Sequence, residues 1–287
     1  MRVFSRPLSS EDLGVIPPSG QCVWGCNSGK PFNREHIIAK QVADAMGMPF
    51  PVRISWGDIR RSTGEETERG DETKNELEIV LDDRVCERCN NKWMDKLDHQ
   101  MLAFMRPMME SETPVQIDPS QQLTLARWAT KIGLLLALYL HDQPLADPDS
   151  ETMGKGYAPA DNFTALFGHS MEVPDHTQVW VGMLDPAIDV SESEVFVANM
   201  PVHGTPGPVG YYLLFSLKRL VFFVAGLELA YATSDTGDWV ELERRLTDSR
   251  AMVQLWPSDG DTVLLPPPAY LEASDLLALV KAQPHGG

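Results

Sequence analysis

The 287-residue chain contains no apolar run of the roughly 18 residues that a membrane-spanning helix requires. Met1 to Ser10 hold two arginines and no apolar segment, which argues against a signal peptide and leads to the expectation of a cytoplasmic protein. Cysteine is scarce, with four in all, and in a cytoplasmic setting thiols are more often metal ligands than disulfides. Positive charge is in deficit. The 24 Lys and Arg face 41 Asp and Glu, a formal charge of −17 that disfavours a generic nucleic-acid binder, because basic side chains make the phosphate contacts. The deficit is uneven, for residues 1–110 hold 15 basic and 18 acidic residues whereas the remainder holds 9 and 23. Arg34, Lys40, Arg53, Arg60, Arg61, Arg69, Lys74, Arg84, Arg88 and Lys92 therefore offer a local positive groove within an acidic chain. Internal repeats and long low-complexity tracts are also missing.

What is present is concentrated near the N-terminus. The four cysteines form two close pairs, Cys22-x3-Cys26 and Cys86-x2-Cys89, the sequence form of a tetrahedral four-cysteine zinc (Zn²⁺) site. Such a site is closed. It contributes folding energy and leaves no open position for activating water. Between the pairs runs Arg34-Glu35-His36, and Asn90-Asn91 follow the last thiol. A carboxylate, an imidazole and an amide are what a second, hard cation and a general base require.

The composition predicts an α+β chain of two domains. Residues 1–110 carry the motifs, 121–287 form an α+β accessory domain, and Glu110 to Ser120, rich in Pro, Ser, Thr and Glu, reads as a linker. Phe32 to Lys40 reads as a strand end carrying Glu35 and His36, Ser62 to Asn75 as a loop, and Leu77 to Leu81 as a second strand. After Cys89, Trp93, Leu97, Met101 and Phe104 or Met105 recur at helical spacing as core residues as far as Pro107, with Asn90 as the helix cap. His99 faces solvent in this reading, and Asp98 is a candidate to support the site from behind. Gln121 to His141 is the strongest helix, with Leu125, Trp128, Ala129, Ile132, Leu135, Leu136 and Tyr139 on its apolar surface. Thr177 to Leu184, Glu194 to Asn199, Tyr211 to Leu217 and Leu220 to Leu227 read as strands, the last two joined by a tight turn at Lys218-Arg219.

Glu35-His36-Ile37-Ile38 together with Cys86-Glu87-Arg88-Cys89-Asn90-Asn91-Lys92-Trp93-Met94 resembles the HNH, or ββα-metal, endonuclease family in its zinc-stabilised, treble-clef form. The likeness covers residues 22–98 and is nearest to a bacterial subgroup that pairs an Arg-Glu-His motif with a Cys-x2-Cys-Asn-Asn-x-Trp run. It implies His36 as general base, Glu35 and Asn90 as ligands of a catalytic Mg²⁺ or Mn²⁺, and Arg34, Lys40 and Lys92 as groups that bind the substrate phosphate. Glu35 stands where the family has Asp or His, and the first cysteine pair has three intervening residues where two are commoner. The family's middle Asn has no counterpart beyond Asp82 and Asp83. The resemblance implies metal-dependent hydrolysis of DNA in bacterial defence. RNA as the substrate of the same site is one alternative. Another is a non-catalytic zinc module that binds a protein partner through the acidic C-terminal part.

Overall fold

The computed structural model describes residues 19–26, 31–55, 76–110, 114–142, 172–174, 177–188, 195–203, 208–227, 250–272 and 275. The loop expected over 62–75 lies outside them. The described chain is mixed helix and sheet. Strand β1 (Glu35–His36) leads into helix α1 (Lys40–Ala45), followed by β2 (Arg53–Ser55), β3 (Glu76–Glu78) and β4 (Val80–Leu81). The segment expected as one strand is thus two, because β3 pairs with β2 whereas β4 pairs with β1. The break falls at Ile79, whose side chain is 1% exposed and whose N–H donates to the Val52 carbonyl.

Helix α2 spans 87–110 and is α-helical at Glu87–Cys89, π-helical at Asn90–Met94 and α-helical again at Asp95–Glu110. Two expectations are corrected here. Cys86, not Asn90, caps the helix, and its carbonyl accepts the N–H groups of Cys89 and Asn90. Pro107 does not end the helix. A proline removes one N–H and strains the preceding turn, but buried Phe104, Met105 and Met108 hold the last turns against the core. The expected linker is corrected as well: β5 (Val115–Ile117) lies within it and pairs antiparallel with β11 (Val263–Leu265).

Helix α3 (Pro119–Asp142) agrees with the sequence pattern, and all seven of its predicted apolar positions are buried. It packs on a five-stranded antiparallel sheet of β6 (Thr177–Met183), β7 (Val195–His203), β8 (Pro208–Leu217), β9 (Leu220–Leu227) and β10 (Met252–Trp256), in the order β10-β6-β9-β8-β7. The turn between β8 and β9 is at Lys218-Arg219, where Lys218 takes a φ of 52°. Trp128 of α3 meets Phe222 at 5.5 Å, and on the opposite face of the sheet Trp180 meets Phe223 at 5.4 Å. Both faces are buried, which explains the near-continuous apolar runs of β6 and β9. No helix among the described residues is long and apolar enough to cross a membrane.

One hydrophobic cluster runs from Trp24 and Ile37 through Met101 and Trp128 to Phe222 and Leu265. Polar contacts tie the same parts together. The guanidinium of Arg84 donates through Nε and Nη2 to Asp142 at the end of α3, at 2.6 and 2.5 Å, and Lys218 Nζ donates to the Gly47 carbonyl at 2.6 Å. The α2 and α3 helices therefore sit in one core, which positions whatever α3 carries beside the N-terminal motifs.

Gly182 on β6 marks a tight backbone approach in the sheet. A Cβ there would lie 2.6 Å from the Ala251 carbonyl oxygen and 2.9 Å from Leu271 Cδ1. Gly182→Ala is expected to destabilise the protein by about 2 kcal/mol or more, since backbone cannot yield as a side chain does. Urea unfolding of the variant checks this, and an unchanged midpoint would contradict the register of β6 and β10.

Candidate functional site

The first cysteine pair lies on a tight turn. Gly25 adopts a φ of 69°, open to glycine without strain, and its N–H returns to the Cys22 carbonyl at 2.9 Å. Val23 N–H donates to Arg84 O and Gly20 N–H to Asp83 O, which lash this turn to the segment entering the second pair. Trp24 is fully buried and meets Trp93 edge-on at 5.0 Å. The second pair occupies the start of α2, with Glu87 N–H bonded to Pro31 O.

The four sulfurs lie within 4.8 Å of one another, and none of them is in a disulfide. Cys22 and Cys89 lie 3.8 Å apart, the spacing of about 3.8 Å that a tetrahedral four-thiolate zinc centre requires, and Cys26 lies closer to Cys86 and Cys89, at 3.0 and 3.3 Å. The Cys22 thiol is held down at about 5 chiefly by its hydrogen bond with Cys89, and that bond pushes Cys89 up. These residues can hold one zinc ion, whose binding would displace the remaining thiol protons.

This clamp sets β1 against the beginning of α2. Pairing of Glu35 with Leu81 and His36 with Val80 sends the two neighbouring side chains to opposite faces of the strand. Glu35 points inward and is 6% exposed, and the side chain of Asn90 hydrogen-bonds it. The structure thus brings together a carboxylate and an amide 55 positions apart in the chain. Burial pushes the Glu35 carboxyl up to about 7, Asp98 adds to the rise, and Lys131 and Asn90 oppose it. A buried carboxylate with one amide partner is a poor home for an anion and a good one for an anion with a cation. Half a turn of the Asn90 amide would present its oxygen in place of its N–H.

His36 is half-buried on the other face, its ring 4.7 Å from that of Phe50. Burial lowers its pKa below 6.5, Arg34 lowers it further and Glu78 opposes both, so the imidazole is neutral at physiological pH. No side chain among the described residues hydrogen-bonds this ring. Asp82 is instead 3.8 Å from Arg34, and Asp82 and Asp83 are both exposed. Arg34 also donates to Glu78 at 2.7 Å, and Lys40 donates to Asp44 at 2.8 Å while lying over the Phe50 ring. The Lys40–Asp44 pair is exposed and the Arg34–Glu78 pair partly so, so both hold their cations weakly. Lys92 is exposed, on the turn that carries Asn90.

The eight residues from Asn90 to Asp98 would overshoot two α-helical turns by about 80°. The π-helical turn absorbs one extra residue and returns Asp98 to the side of α2 that carries Asn90. Asp98 is buried and accepts from Trp128 and Lys131 of α3. Lys131 and Phe50 are the residues that sequence reasoning missed. A lysine one turn from Trp128, inside an apolar stripe, was the signal for the first. His99 is exposed beside Asp95, as its position on the helix predicted.

Metal analysis is expected to find one zinc per chain, and its removal by a chelator should cost roughly 5 kcal/mol, about 10 °C in Tm. A full-length protein that is equally stable without zinc would contradict a structural role for the cluster. Glu35 supplies a second expectation. Its folded pKa of about 7 lies above the ordinary 4.5, so its contribution to stability is fully present below 4.5 and lost as pH rises through 7. In zinc-loaded, otherwise cation-free protein, the stability advantage of Glu35→Gln over wild type should grow by roughly 2 kcal/mol between about pH 5.5 and pH 8. A constant difference in urea unfolding across that range would refute the buried-carboxylate assignment. Compared with known proteins, the chain gives no significant match to any family model, curated protein or solved structure.

Proposed function

We propose that the protein is a divalent-cation-dependent endonuclease of the HNH, ββα-metal type that hydrolyses DNA phosphodiester bonds. The observation that carries the reading is the hydrogen bond between Glu35 and Asn90, the residue directly after the last thiol of the cluster, with half-buried His36 adjacent to Glu35 on β1. Strands β1 and β4 followed by α2 have the strand-strand-helix order that such a site requires.

In this reading the thiol cluster binds structural zinc and takes no part in the reaction. Glu35 and Asn90 would hold Mg²⁺ or Mn²⁺, and the cation would supply charge stabilisation to the phosphoryl oxygens and the leaving 3′ oxygen. His36 is neutral at physiological pH, so it can accept the proton of the attacking water. Because Glu35 and His36 project to opposite faces, the scissile phosphate lies over the edge of β1, where both can reach it. Phe50 orients the imidazole by packing, in place of a hydrogen-bonding partner. Arg34, Lys40 and Lys92 supply further positive charge at the exposed rim.

Purified zinc-loaded protein with Mg²⁺ or Mn²⁺ is expected to nick or cut plasmid DNA, and His36→Ala should reduce the rate by at least about a hundredfold with zinc content and fold unchanged. Parallel assays on single-stranded and duplex RNA identify the preferred nucleic acid. Equal cleavage by wild type and His36→Ala would remove the imidazole from the mechanism. No cleavage with any divalent cation would favour a non-catalytic zinc module.

A further inference from the structure

Asp98 and Lys131 form an ion pair that packing does not explain. The two residues are 4% and 1% exposed, and Lys131 Nζ lies 2.5 Å from Asp98 Oδ1. The indole Nε1 of Trp128 donates to the same oxygen at 2.8 Å. Trp128 and Lys131 are three residues apart on α3, so one helix turn fixes a single carboxylate oxygen of α2 from two directions. Burying such a pair costs desolvation that its attraction often fails to return, and apolar side chains of like volume commonly serve stability as well or better. A reason other than stability is therefore required.

The reason lies in the neighbour. Asp98 shares a side of α2 with Asn90, and the Glu35 carboxylate bonded to Asn90 feels both charges of the pair, Lys131 the more strongly. The two carboxylates and one ammonium leave this cluster with one net negative charge. A divalent cation turns that into one net positive charge, and a single phosphodiester then brings it to zero. Without Lys131 the loaded cluster would be neutral before substrate arrived, and without Asp98 it would be doubly positive.

We propose that the Asp98–Lys131 pair is a positioning element that sets the charge of the cation site: α3 supplies the buried ammonium that leaves the cation-loaded site attractive to one phosphodiester. Asp98 and Trp128 fix where that ammonium stands. The inference rests on the reading of Glu35 and Asn90 as cation ligands. It makes a helix of the C-terminal half part of the candidate site.

The test uses full-length, zinc-loaded protein at about pH 8 in a His36→Ala background, so that DNA stays intact. Mn²⁺ affinity is measured by titration calorimetry and short-duplex affinity by fluorescence anisotropy at saturating Mn²⁺. Lys131→Gln should bind Mn²⁺ about tenfold more tightly and the duplex about tenfold more weakly. Asp98→Asn should shift both in the opposite directions, and the double variant should return both to near the parent values. A purely structural role would weaken both ligands in every variant. Should Lys131→Gln fail to fold, Asp98→Asn decides alone, since its amide oxygen still accepts from Trp128 and Lys131. Shifts of the same sign, or no shift, in a protein whose Mn²⁺ binding is lost on Glu35→Gln overturn this inference only. A parent that takes up no Mn²⁺ beyond its zinc overturns the reading of Glu35 and Asn90, and this inference with it.

Discussion

The four sulfurs converge where a short loop meets the first turn of one helix, and the candidate site depends on that convergence because its two halves have little else to align them. Strand β1 is two residues long and pairs with a strand of equal length. Two such strands contribute few hydrogen bonds and little buried area, far short of what an independent sheet needs. The thiol cluster substitutes for that missing structure by fixing residues 22–26 and the start of α2 in one place. Once α2 is held at its N-terminus, Asn90 faces Glu35 without further adjustment. Trp24 and Trp93 fill the space behind it, so the clamp is bonded on one side and packed on the other.

Helix α2 then carries a conflict of phase. Its first turn is dictated by the cysteines, whereas Leu97, Met101 and Met105 must face the core shared with α3. A regular α-helix cannot satisfy both while keeping Asn90 and Asp98 on one side. The widened turn at Asn90–Met94 resolves this at the cost of poorer backbone geometry. Such turns concentrate at functional sites for this reason, since a functional side chain and a packing side chain rarely demand the same periodicity. The buried carboxylate of Glu35 is a second local expense of the same kind, tolerated because a large core surrounds it.

Much of this was legible in the sequence where the information is local. The cysteine spacing anticipated the four-thiol cluster, and apolar periodicity anticipated α3 over Gln121 to His141, all but its first two residues and its last. Alternation and β-branched content located β6, β8 and β9. The failures have a common origin in partners distant along the chain. Val115–Ile117 reads as linker until Val263–Leu265 pairs with it, and Pro107 reads as a stop until the methionines around it are seen buried. Leu77–Leu81 is continuous in pattern but changes partner at Ile79. Lys131 was legible only as a charge in an apolar stripe, and its meaning required Asp98, which sits on another helix. Asn90 was placed correctly beside Glu35 although its expected role as a cap went to Cys86, because the cluster fixes position regardless of which residue closes the helix.

Charge links this local picture to the acidity of the whole chain. A net charge of −17 would repel DNA at long range, but at physiological salt that field decays over about 8 Å. In the proposed reading, a phosphate over β1 would respond chiefly to Arg34, Lys40, Lys92 and the buried cluster, the charges nearest to it. The nearby acids Glu78, Asp82 and Asp44 are already occupied with Arg34 and Lys40. Binding energy in such a site comes mainly from the cation and the charges that balance it, and little from the surface around it. If the proposed reading holds, an acidic surface would limit unproductive association with nucleic acid, while the buried cluster would confine attraction to the place where His36 can act.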